Sequence, residues 1–317
     1  ILMKEVQNTL KSIVENPRHI YKLTMQGILV GIFSGLMVCL YRFLLNGSED
    51  ILRSGLTVIN GNILYTILFF VFLIILGLLT AYLMRWEKDA MGSGIPHVNA
   101  ETKGFLDVNW YKTLFAKIVG GVFTALGGLS LGPEGPSVQI GAMAGKGVSK
   151  LFKESKTDEL RLILVGSAVG ITAAFNAPLA GVIFILEEIN HGFDKTLVFI
   201  ALVSAIVSDF ISKIIFGQST VLTFPIGNIP LSHYWLLILL GLALGLLGYA
   251  YNVGMIKAED LWAKIPNLSL EIKFVSVFLV SGVIALVMPE ISCGGHYMLG
   301  LFDMAIPSLT LLLIYFI

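Results

Sequence analysis

The chain has 317 residues, of which 56% are hydrophobic and only 13% charged, about half the charged share of an ordinary soluble domain. Its 21 basic and 21 acidic residues cancel, so the sequence carries no footprint of a nucleic-acid partner and no basic tail. What remains is a chain whose natural solvent is a lipid bilayer, and its elements are taken here in chain order.

Residues 1–16 place Met3, Val6, Leu10, Ile13 and Val14 on one helical face, with Lys4, Glu5, Lys11 and Glu15 elsewhere. This pattern predicts a short interfacial helix lying on the membrane, ended by Pro17. Apolar runs follow at Ile20–Leu45, which carries only Lys22 and Arg42, and at Ile63–Met84, which carries no charge. Further runs lie at Leu197–Phe216, Tyr234–Ile256 and Phe274–Met288. Crossing a hydrocarbon core takes about 20 helical residues, so the fold class is an all-α, polytopic integral membrane protein. Lys4, Lys11, Arg18 and Lys22 precede the first span, and Lys146, Lys150, Lys153, Lys156 and Arg161 crowd a later connection. The positive-inside rule puts both groups on the cytoplasmic side.

Between Gly92 and Gly192 the apolar segments are short, with breaks at Gly92–Pro96, Gly127–Pro136, Lys153–Asp158 and Asn176–Pro178. Pieces of about 10–16 residues do not span a bilayer upright. They are expected to tilt or to begin inside the protein, as in transporters built from broken helices. Glycines at four-residue spacing (27/31/35, 128/132, 141/145, 166/170, 241/245) predict closely packed helices. Gly31, Gly35 and Tyr41 share their spacing with Gly241, Gly245 and Tyr251. Each set is followed by a second apolar span and then a Gly-rich turn, Gly92-Ser93-Gly94 or Cys293-Gly294-Gly295. The order of elements implies a single transmembrane domain over 1–317 made of a duplicated unit, first from about 24 to 216, then from about 232 onward. On that reading the second unit is incomplete at Ile317. Cys39 and Cys293 sit in apolar or Gly-rich surroundings and read as packing residues rather than a disulfide.

Three segments could carry chemistry. In Gly92-Ser93-Gly94-Ile95-Pro96 the glycines allow a sharp turn and Pro fits a first helical turn. Unpaired N–H groups beside the Ser93 hydroxyl outline an anion site, although an ordinary serine-capped helix fits the same residues. In Gly132-Pro133-Glu134-Gly135-Pro136 a carboxylate stands just ahead of a helix expected to begin near Pro136 and to run through Gln139, Ile140 and Gly141. Dipole stabilisation explains such a glutamate, but apolar flanks at membrane depth ask for a further reason. Glu187-Glu188 closes the run Leu179–Leu186. Adjacent residues diverge on a helix, so one could face water and the other the interior, where it would hold a proton; a plain helix end fits equally. Gly128-Leu129-Ser130-Leu131-Gly132 matches a hydrolase elbow but ends a membrane helix rather than a strand. Gly141–Gly147 fails the phosphate-loop pattern. His97 and His296 each follow a Gly-rich turn and read as capping or packing residues, and the histidines have no metal spacing.

Together, Gly92–Pro96, Gly132–Gly141 (GPEGPSVQIG) and Ala174–Gly181 (AFNAPLAG) leading to Glu187-Glu188 resemble the CLC family of chloride channels and chloride/proton antiporters. The resemblance implies a CLC-type inverted repeat of tilted and broken helices. It implies a secondary transporter exchanging chloride for protons, or alternatively a passive voltage- or pH-gated chloride channel of the same fold. Residue by residue, Ser93, Gly94, Ile95 and Gly135 look like anion-binding positions, Glu134 like the external gate and Glu188 like the internal proton-transfer glutamate. The family's outer motif usually has Arg where this chain has Pro133, which removes a cation near the outer mouth. No catalytic residue, metal or cofactor is implied. The expected partners are chloride, membrane lipid and a second copy in a homodimer, in a bacterial inner (plasma) membrane. The family's second pore half-helix and central tyrosine would lie beyond Ile317. A hydrolase resting on Ser130 and a fragment acting only in assembly are the rival classes.

Overall fold

A computed structural model describes residues 17–59, 61–218, 230–265, 268–295 and 297–300. The interfacial helix expected over 1–16, His296 and the terminal apolar segment lie outside the described residues. Among those residues there is no strand. Ten α-helices follow in order: α1 Pro17–Ile59, α2 Ile63–Trp86, α3 Ile95–Thr102, α4 Trp110–Leu126, α5 Glu134–Phe152, α6 Lys156–Phe175, α7 Pro178–Phe184, α8 Lys195–Phe216, α9 Leu236–Ala263 and α10 Leu270–Val287. A 3₁₀ turn at Lys88–Ala90 leads toward α3, and α7 widens into a π-turn at Ile185–Ile189.

Helix starts follow local chemistry. Asn62, Asn109, Ser155, Asp194 and Ser269 each accept a backbone N–H of the following first turn. Pro17, Pro96 and Pro178 fall in first turns, where their missing N–H costs nothing. α6 ends at Asn176, which takes the left-handed conformation at φ 55°.

α5 and α6 form the centre. α5 is buried at every residue from Ser137 to Ser149, the mark of a helix surrounded by protein. The two cross at glycines whose backbones touch: a Cβ on Gly166 would stand 3.2 Å from Gly145 N, and one on Gly170 would stand 3.1 Å from Val138 Cα. α1 meets α8 the same way, with Gly31 against the Ser204 backbone and Gly35 against Ser208. α2 pairs with α10, where Gly77 lies on Val275. Five of the helices are long and apolar enough to cross a membrane, including α1, α2 and α8. Their outward faces expose Leu, Ile and Phe in numbers that suit lipid.

Four expectations change. α1 does not stop near Leu45 but continues through Asn46–Asp50 to Ile59, about 65 Å of helix. The polar stretch is carried by an Arg53–Glu49 ion pair at 2.7 Å and by Ser48 Oγ donating to Leu44 O. α5 and α6 run 19 and 20 residues, longer than the breaks suggested. Gly128 and Gly132 lie in the turn between α4 and α5, not on a helix face. Gly241 and Gly245 of α9 meet nothing within 4 Å, and α9 buries no residue among those described.

The basic clusters do meet. Lys22 Nζ pairs with Glu154 at 2.7 Å and Gln26 donates to the same carboxylate, while His19 contacts Asp158 at 3.2 Å. The start of α1 and the α5–α6 connection therefore share one face of the membrane.

Candidate functional site

Gly94 ends the turn before α3 with φ 101°, a conformation that glycine reaches without strain. Its neighbour Ser93 is exposed and lines a cavity of about 730 Å³. Glu134, Gly135 and Pro133 line the same cavity. The turns before α3 and α5 touch: a Cβ on Gly135 would lie 2.7 Å from Ser93 O, so only glycine fits there. The turn before α3, through Gly92 and Ser93, and the N-terminus of α5 thus line one space side by side. Among the described residues the N–H groups of Gly94, Ile95 and Gly135 make no hydrogen bond. Free N–H groups at helix starts attract anions.

α5 begins at Glu134, two residues before the expected start. Pro136 is tolerated because it falls at the third helical position, whose N–H has no partner inside a helix. Ser137 closes the turn, its backbone N and its Oγ both donating to Pro133 O at 3.0 and 2.7 Å. The Glu134 carboxyl folds back over the turn, and a Cβ on Gly132 would stand 2.9 Å from Glu134 Cδ. Glu134 therefore sits at the mouth of its own helix, beside the N–H groups that would hold an anion.

Sequence reasoning overlooked two residues here. Lys117, in the apolar run of α4, is buried, and its Nζ donates to Ala90 O at 2.9 Å and Gly92 O at 2.8 Å. Tyr41 of α1 packs against Gly121 and lines the cavity. The signal for Lys117 was legible, since a charge inside a membrane run needs a reason.

The other expected positions fall outside the cavity. Gly94 is pressed against Gln139, and Ile95 packs on the central hydrophobic core. Glu187 and Glu188 lie on the π-turn and both are exposed, so neither faces the interior. Ile185 and Ile189, four apart, take the buried face of that turn. Ser130 Oγ donates to Ile291 O at 2.6 Å in a turn between helices, which is no nucleophile elbow. Cys39 and Cys293 are both buried free thiols. His97 is half-buried and its Nδ1 has no partner among the described residues.

Farther along α3, Lys146 of α5 is almost wholly buried. It pairs with the buried Glu101, with Asp107 at 2.7 Å and with Val108 O at 2.6 Å. That hydrogen bond and charge hold the Asp107 carboxyl below the usual aspartate range.

Residues 76–317 match the family model described as voltage gated chloride channel. The chain belongs to this family. Among relatives, the H(+)/Cl(-) exchange transporter ClcA of Vibrio cholerae is 29% identical over 93% of this chain and 65% of its own length. ClcA of Citrobacter koseri is 32% identical over 78% of this chain and 54% of its own length. The chain thus spans about two thirds or less of these curated relatives. Among solved structures, a slow cyanobacterial Cl-/H+ antiporter superposes with a TM-score of 0.84 at 27% identity, covering 93% of this chain and 70% of that one. The helical fold is therefore the CLC fold.

Proposed function

We propose that this chain forms the anion and proton pathway of a secondary transporter that exchanges chloride for protons. The observation that carries the reading is the meeting of the α3 and α5 N-terminal turns at one cavity, with the Glu134 carboxyl over it. Ser93, Gly94, Ile95 and Gly135 supply the hydroxyl and N–H groups that replace part of the ion's hydration. Glu134 is the external gate, competing with chloride for the same positive helix end. Repulsion between two anions in a partly desolvated pocket is strong, so carboxylate and chloride alternate. Protonation removes the carboxylate's charge and frees it to swing away, which links a proton to each opening. Glu188, exposed on the other side of the α7 turn, delivers protons from the cytoplasm. The names of the relatives and the carboxylate at position 188 favour exchange over a passive channel.

The transporter works as a homodimer with one pore per subunit, surrounded by lipid, in a bacterial inner membrane and without a cofactor. The first of its two repeats, from about 24 to 216, supplies the gate and the anion-binding turns named here, and the second begins near 232.

Glu134→Gln imitates the protonated gate. In liposomes carrying the full-length protein, chloride flux should continue with no dependence on pH, and proton movement should cease. If the variant still drives protons uphill on a chloride gradient, Glu134 is not the gate. If the unmodified protein moves chloride with no protons at any pH, the passive channel replaces the exchanger.

A further inference from the structure

We propose that Gln139 is a positioning residue, which holds the anion-binding turn of α3 in register with the gate helix α5. The proposal rests on the exchange reading above for what that turn binds.

Gln139 is fully buried one turn inside α5. Its Nε2 donates to Asp89 O at 2.7 Å, across to the 3₁₀ turn that leads to Ser93. Its Oε1 has no partner among the described residues and lies where a Cβ on Gly94 would come within 2.7 Å. Seven residues on, and so two turns along the same face, Lys146 grips Glu101. Gly94 and Glu101 are also seven apart. α3 therefore lies along α5 in the same direction, with Gln139 packed against its N-cap Gly94 and bonded to the turn before it, and with Lys146 holding its end.

This arrangement brings two positive helix ends together, which repel each other when no anion lies between them. The turn also has an alternative. Chloride is attracted by N–H groups and repelled by carbonyl oxygens, and rotation of one peptide in a glycine-rich turn exchanges the two. The carbonyls of Asp89, Ala90 and Gly92 are engaged by Gln139 and Lys117, while the N–H groups of Gly94 and Ile95 make no bond among the described residues. Gln139, through Asp89 O and together with Lys117 on the next two carbonyls, thus fixes the turn with its donors available before an anion arrives. Preorganisation of this kind raises affinity by removing an ordering cost rather than by adding a contact.

The test is Gln139→Met, which keeps length and volume and removes the hydrogen bond. In liposomes with the full-length protein the KM for chloride should rise about fivefold, the usual worth of one buried hydrogen bond, while the rate at saturating chloride stays within a few-fold of wild type. An unchanged KM, or a fall in maximal rate alone, would mean that Gln139 only fills space and overturns the proposal. A second measurement needs no variant. Hydrogen exchange in the wild-type protein should show the amides of Ala90, Met91 and Val98, which are bonded within this turn, equally protected with and without chloride. Protection that arises only on adding chloride would show a turn ordered by its ligand and would also overturn the proposal. Absence of chloride flux from the wild-type protein would remove the exchange reading and leave hydrogen exchange to decide this one.

Discussion

Glu134 and Glu188 are both carboxylates near helix ends, and the proposed exchange divides the labour between them according to their surroundings. Glu134 opens α5 and lines the cavity, and in the proposed exchange its charge competes there with an anion. Glu188 occupies an exposed π-turn and does not line the cavity, and in the proposed exchange it trades protons with water without meeting the anion. Widened turns of this kind recur at functional sites. Glu188→Gln keeps shape and hydrogen-bonding capacity but does not ionise. It should leave chloride flux near the wild-type rate and reduce proton flux to the leak of empty liposomes, read with a pH electrode beside a chloride electrode. Proton movement at the wild-type ratio would reduce Glu188 to a surface carboxylate. Pro133 lines the same cavity. It brings a fixed backbone angle, φ −78°, and no charge.

At the scale of elements, the short helix α3 has too few residues to hold itself in place, so its position depends on α5. The Lys146–Glu101 pair is the firmest tie, with both side chains almost wholly shielded from solvent. Removing one partner of such a pair leaves a buried charge and costs about 3–5 kcal/mol. Lys146→Met should therefore lower the thermal midpoint of the detergent-solubilised protein severely. Lys146→Met combined with Glu101→Leu should recover most of the loss, because a well-packed apolar pair is often as stable as the ionic one. No recovery in the double variant would show that Asp107 and Val108 O, the other partners of Lys146, carry the stability. The breaks that create α3, α5 and α7 were legible because Gly and Pro mark them, and the GPEGP and GSGIP strings pointed to the turns that meet. The Lys146–Glu101 tie was not legible, since nothing local to either residue names a partner 45 positions away. The shared exposure of Glu187 and Glu188 depended on the π-turn. In hindsight Ile185 and Ile189, spaced to claim the buried face, were the available signal. The continuation of α1 past Leu45 was missed because a polar run of Asn, Gly, Ser, Glu and Asp reads as a loop until its i,i+4 ion pair is counted.

For the whole molecule, the packing of charges fixes how the chain threads the bilayer. The beginning of α1 and the α5–α6 connection share one face through Lys22–Glu154 and His19–Asp158. The opposite end of α1 is separated from them by a helix of 43 residues, about 65 Å, against a hydrocarbon core of roughly 30 Å. Even a steep tilt leaves Gly61 and Asn62, in the turn before α2, on the far side. The concentration of Lys and Arg around residues 146–161 favours the cytoplasmic side for the first face. The two thiols of this chain, Cys39 and Cys293, are buried and so add little background to labelling. Lys153 and Asn62 are both exposed, and neither side chain is among those that tie helices together. With a membrane-impermeant maleimide, Asn62→Cys should label in intact cells, while Lys153→Cys should label only after the membrane is opened. Labelling of both from the same side would contradict the single crossing by α1. Exchange of the two patterns would keep the threading but invert the molecule, placing the Glu188 turn on the outer face. Inversion would also reverse the direction from which protons reach Glu188, so its outcome bears on the transport cycle as well as on topology.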